Sequence, residues 1–121
     1  MSDAFSKMQG AVARYLWAEL GDHGKRDKLT EINTTAMRNL GRVALECVAI
    51  EQFWITLDYQ EARKHMTTEG GALIRDAYKA LADHVGDNVC DVHVLREILN
   101  NLARLQVAAT ARRAPDRGRR S

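Results

Sequence analysis

The side chains whose types and spacing suggest joint chemistry are His84, Cys90 and His93, with Cys47 as a fourth candidate. Thiolate and imidazole are the usual zinc ligands, and four of them around one ion close a structural site. An antiparallel hairpin folded around Thr67 would set residue 84 opposite residue 50. Cys47 would then lie at the turn that carries the other three. The same register would allow a Cys47–Cys90 disulfide. Against the zinc reading, the spacing follows no standard pattern. Cys47 also fits an apolar helical row, where a buried thiol is inert. The reading taken is therefore that these histidines sit at helix ends and that no metal or cofactor is bound.

Other reactive constellations are absent. A helical di-iron site needs Glu-x-x-His motifs, and none occurs; Glu61 and His65, four apart, make a single surface pair. There is no His-Glu-x-x-His, no phosphate-binding glycine loop and no Gly-x-Ser-x-Gly. No arginine stands four to six residues ahead of any histidine, which removes the Arg–His signature of helical ribonucleases. Gly70-Gly71, at a predicted helix start, is at most a weak anion site. The chain is expected not to be an enzyme.

The elements that must position these residues are helical. From Asp27 to Arg63 there is no proline and one glycine, Gly41. Leu29, Ala36, Val43, Ile50 and Leu57 recur at intervals of seven, and Leu40, Cys47 and Trp54 form a second row on the same face. This spacing predicts one continuous helix over residues 27–63, about 50 Å long. Met37, Ala44, Ile32, Val48 and Phe53 widen its apolar face beyond a coiled-coil seam, and Asn39 and Glu46 interrupt it at an edge that should face solvent. A first helix is predicted over Asp3–Leu20, closed by Gly21 as a left-handed cap. Two more follow, over residues 69–84 and from about Asp91 to near Ala111. The fold class is all-α: a compact bundle of about four helices around the long 27–63 helix, forming a single domain over residues 1–111.

Residues 112–121 read as a separate, disordered tail. They carry Arg112, Arg113, Arg117, Arg119 and Arg120 against Asp116 alone, a charge of +4. Residues 1–111 hold 13 basic and 15 acidic residues, so the body is −2 and the overall +2 belongs to the tail. Five arginines attract phosphates, but no aromatic residue is interleaved for base stacking, and no helix-turn-helix with a basic recognition helix is visible. No apolar run approaches the roughly 20 residues of a membrane span. Met1–Gly10 does not read as a secretory signal, and the formal glycosylation triplet Asn33-Thr34-Thr35 falls inside a predicted helix. With two cysteines and no export signal, the expected location is cytoplasmic.

The functional expectation is a non-enzymatic interaction protein of adaptor, regulator or inhibitor type. It would dock a protein partner, a second copy included, through Phe53, Trp54 and Tyr59, because large aromatics dominate interface hot spots. The alternative is a nucleic-acid-associated regulator that uses the five tail arginines.

Overall fold

The computed structural model describes residues 3–86 and 89–113, the side chains of His23, Arg112 and Arg113 excepted. The expected tail lies outside the described residues from Ala114 onward, and its first two arginines belong to the last turn of a helix. The chain is an all-α bundle, with one isolated bridge between Gly86 and Val89 as the extended pairing among the described residues.

Helix α1 (Asp3–Leu20) buries Met8, Val12, Leu16 and Leu20, a strict i, i+4 row. Gly21 ends it, but not as a left-handed cap, since no described glycine has positive φ. A Cβ at this position would lie 2.5 Å from the Trp17 carbonyl oxygen, so glycine is required by close approach. A short turn, α2 (His23–Arg26), follows. Its buried Arg26 donates from Nε to the Leu20 carbonyl at 3.1 Å and from a terminal nitrogen to Gly21 O at 3.2 Å. These are orphan acceptors of a helix C-terminus, now satisfied by a cation that also suits the dipole.

The predicted continuous helix over 27–63 is broken twice. It consists of a 3-10 segment (Asp27–Glu31), α3 (Thr34–Glu46) and α4 (Ile50–Ala62). At the first break Asn33 turns extended, and its side-chain oxygen accepts from the Ala36 N–H at 3.1 Å, a true N-cap. At the second, Gln52 folds back to accept from the Val48 and Ala49 N–H groups at 2.8 and 2.9 Å. Both breaks also release carbonyls, and one helix answers both. Gln106 donates to Leu29 O and Ile32 O, each at 3.0 Å, and Arg96 donates to Ala44 O and Leu45 O, each at 2.7 Å. A local hydrogen-bond exchange, invisible to hydrophobic periodicity, thus replaces several helical bonds.

That answering helix is α6 (Asp91–Arg113), which at 23 residues is the longest element. It spans about 34 Å. It buries Val92, Val94, Leu95, Ile98, Leu99, Leu102 and Ala109, packing against α1, α3, the 27–31 segment and α5 (Thr68–Leu81). The central strut is therefore α6 rather than residues 27–63, because α6 is the element against which α1, α3, α5 and the 27–31 segment all pack. One continuous core runs from Met8 through Phe53 to Leu102.

Helix α4 packs on α3 and, less extensively, on α5. Arg75 of α5 joins them, donating to Glu61 at 2.7 and 3.1 Å and to Asp58. The hydrogen bond to Glu61 is the main reason its guanidinium is held further above its usual range. Gly71 makes room for this contact, and Gly70 for the side chain of Ile32. A Cβ on Gly71 would collide with the Glu61 carboxylate, and one on Gly70 would lie 2.8 Å from Ile32 Cδ1. The α4–α5 corner turns through Lys64 at φ 63°, with the His65 N–H reaching back to Gln60 O at 2.9 Å.

Candidate docking surface

Helix α4 carries apolar residues on nearly every side, yet only one side faces the core. Ile50, Phe53, Leu57 and Gln60 are buried. Residues 55 and 59 stand roughly 200° from Leu57 at 100° per residue, on the opposite face. Ile55 is 69% exposed and Tyr59 57%. Ahead of the helix, Val48 is 93% exposed and Leu45, at the end of α3, 66%. These four are among seven large apolar side chains left open on the described residues, so most of that exposure lies between residues 45 and 59. Glu51 and Asp58 border the α4 face on the same side, two turns apart.

The residues expected to meet a partner separate into three layers. Phe53 is wholly buried in the core, so it supports the face from beneath and has no surface to offer. Trp54 is half-buried, edge-on to Phe53 at 5.2 Å and to Tyr78 at 5.4 Å, locking α4 against α5. Burial, then the carboxylates of Asp91 and Glu51, push the Tyr78 phenol above its ordinary range. Tyr59 alone of the three stands at the surface. Its hydroxyl accepts from Arg63 at 3.1 Å, and that guanidinium lies 5.7 Å from its ring centre, which fixes the ring without covering it. Beside it, a groove of about 450 Å³ between α3 and α4 is edged by Asn39, Thr56 and His65.

Ile55 was not singled out by sequence reasoning, and Val48, read there as widening the apolar face of the long helix, stands exposed in the break between α3 and α4. The available signal was that α4 is apolar all round, whereas its neighbours cover only one side. Asn39 and Glu46 do face solvent as expected, each contacting Arg42.

The Cys and His candidates are dispersed. Cys47 is half-buried at the end of α3, Cys90 is exposed, and both are free thiols. His93 instead packs edge-on against Phe5 at 5.8 Å. Among the described residues no three His, Cys, Asp or Glu side chains converge as a metal site would require. The hairpin that was to gather them depended on a continuous 27–63 helix, and the break at Cys47–Ala49 redirects the chain.

Of the tail arginines, Arg112 and Arg113 end α6, while Arg117, Arg119 and Arg120 lie outside the described residues. A second groove, between α1 and α6, has Trp17 on its wall. Trp17 is 63% exposed, and the Arg26 guanidinium lies 5.4 Å from its ring centre. No helix of the described residues is long and apolar enough to cross a membrane. No family model matches this chain, and neither a curated protein nor a solved structure matches it.

Proposed function

We propose that this chain is a non-enzymatic helical interaction module, of adaptor, regulator or inhibitor type, that docks a protein partner through the outer face of α4. The observation that carries this reading is the exposure of Ile55 and Tyr59 on the outer face of α4, with Val48 in the break before it and Leu45 at the end of α3, each more than half exposed. Contiguous apolar exposure is costly in a monomer and common at interfaces. Tyr59 is the anchor, Phe53 and Trp54 make its support, and Glu51 and Asp58 form an acidic rim. A cytoplasmic setting suits the two free thiols.

Capture from the native cell tests it, with the whole chain and an Ile55→Glu/Tyr59→Glu variant as paired baits. The reading expects a protein retained by the first and reduced at least about tenfold by the second, with equal helical content in both. It fails if no captured protein distinguishes the two baits.

The second reading, a nucleic-acid-associated regulator, draws on the five arginines of residues 112–120. Removal of residues 112–121 should then abolish a steeply salt-dependent binding to nucleic acid. Unchanged binding would take the tail out of the account.

A further inference from the structure

We infer that the partner of the α4 face is a second copy of this chain, which receives it in the groove between α1 and α6. This rests on the proposal that α4 docks a protein and names that protein's chemistry. The groove has a volume of about 550 Å³, and its surface is chiefly apolar, provided by Ala13, Leu16, Trp17 and Leu105. A space of that size suits one or two large side chains. Arg14 and Arg104 line it as well, with no acidic residue. Among the described residues, neither arginine is paired with a carboxylate.

The α4 face is the counterpart in both shape and charge. It projects Ile55 and Tyr59 and carries Glu51 and Asp58 along one side. Asp58 and Glu61 already hold Arg75, and Arg63 lies over the Tyr59 ring, which leaves Glu51 as the α4 carboxylate with no ion pair among the described residues. Apolar knobs with one free carboxylate at their rim thus face an apolar hole with two free guanidinium groups. An amphipathic helix laid in a groove is a recurring recognition mode. A carboxylate–guanidinium pair at its rim would set orientation. Trp17 is prepared for this role: Arg26 and the close approach of Gly21 hold the indole, and most of its surface stays open.

Two other occupants fit worse. The chain's own C-terminal residues 114–121 carry Arg117, Arg119 and Arg120 against one acid, and would be repelled by Arg14 and Arg104. A nucleic acid strand could stack one base on Trp17 and reach Arg14 and Arg104 with its phosphates, but Ala13, Leu16 and Leu105 offer no second ring on which a further base could stack.

Because knob and hole are different surfaces, the contact is heterologous: a dimer keeps one unused hole on one copy and one unused knob on the other. That property supplies the test. Sedimentation velocity of the full chain, from low micromolar to near-millimolar concentration, should show association that grows past the dimer. Ile55→Glu removes the knob, and Arg104→Glu removes the hole. Each variant alone should associate at least about tenfold more weakly. Mixed in equal amounts, they should form a dimer that stops there, since one good knob meets one good hole. Tyr59→Lys and Trp17→Ala repeat the two arms, and thermal unfolding by circular dichroism checks the fold of all four.

A wild-type chain that stays monomeric overturns the inference. So does association untouched by either class of variant, or a mixture that is not restored, as an isologous contact would give. Competition by an oligothymidylate that is lost with Trp17→Ala would assign the groove to nucleic acid instead. A monomeric chain whose Ile55→Glu/Tyr59→Glu bait still loses a captured protein would refute self-association while leaving the α4 docking face standing.

Discussion

Gln106 offers the sharpest test of how this fold is built. It is 5% exposed, and its amide donates to the carbonyls of Leu29 and Ile32, both at 3.0 Å. Those acceptors are the ones freed where the chain leaves the 27–31 segment. Gln106→Met keeps an unbranched side chain of similar length but removes the donor. Leu29 O would still accept from the Ile32 N–H at 3.2 Å, so its loss is partial. Ile32 O would lose the Gln106 donor, and a buried unsatisfied carbonyl costs about 1–3 kcal/mol. Together the change should destabilise the chain by roughly 2–4 kcal/mol, which lowers Tm by about 8–15 °C in a domain of this size. Urea unfolding followed by circular dichroism should show a lower midpoint with an unchanged slope. Gln106→Glu should be worse than methionine at neutral pH, because a carboxylate would face two carbonyl oxygens. A methionine cost under about 0.5 kcal/mol would show that α6 does not hold the break. Glutamate tolerated as well as methionine would show the same.

Three further outcomes follow from other contacts. Arg96→Ala should cost about 1–2 kcal/mol by freeing the Ala44 and Leu45 carbonyls, and Arg96→Lys should recover part of it, one ammonium being unable to reproduce the fork; chemical denaturation measures both. Lys64→Gly should stabilise by roughly 0.5–1 kcal/mol in the same assay, since Lys64 holds a positive φ that glycine adopts freely. Burial first, then nearby carboxylates, pushes the phenols of Tyr15 and Tyr78 above the ordinary value of 10.0. Their raised folded pKa values mean a contribution fully present below that value and lost as pH climbs through the folded ones. Tyr78→Phe should therefore retain more of its own neutral-pH stability above pH 10 than the parent chain does, as alkaline unfolding curves would record.

What the sequence made legible follows from the reach of each signal. The i, i+4 row Met8–Val12–Leu16–Leu20 gave α1 to the residue, because one face of that helix alone is buried. The seven-residue rows of 27–63 were also real: Leu29, Ala36, Ile50 and Leu57 are all buried. Continuity was the error, since periodicity survives a short break that keeps the phase. Asn33, noted only as a glycosylation triplet, is a standard N-cap and was the cue missed. The second break had Gln52 as its local mark, but its other half is Arg96, 51 and 52 residues away from the carbonyls it binds. Such long-range capping cannot be read from neighbours. For the same reason Phe53 and Tyr59, both aromatic and six apart, could not be told apart as core and surface until the path of the chain set which side of α4 faces inward. Nor could Trp17 be placed, since its position at the edge of the α1 face suited either environment.

Site-specific photocrosslinking in the native cell addresses the docking proposal most directly. A benzophenone amino acid replaces Tyr59 in the full chain, or Lys79, which is also exposed but lies on α5, as a control. The account predicts a discrete protein adduct from position 59 and none from position 79. The adduct's mass then says whether the partner is this chain or another. No protein adduct at 59, or equal yields at both positions, would contradict a docking face on α4.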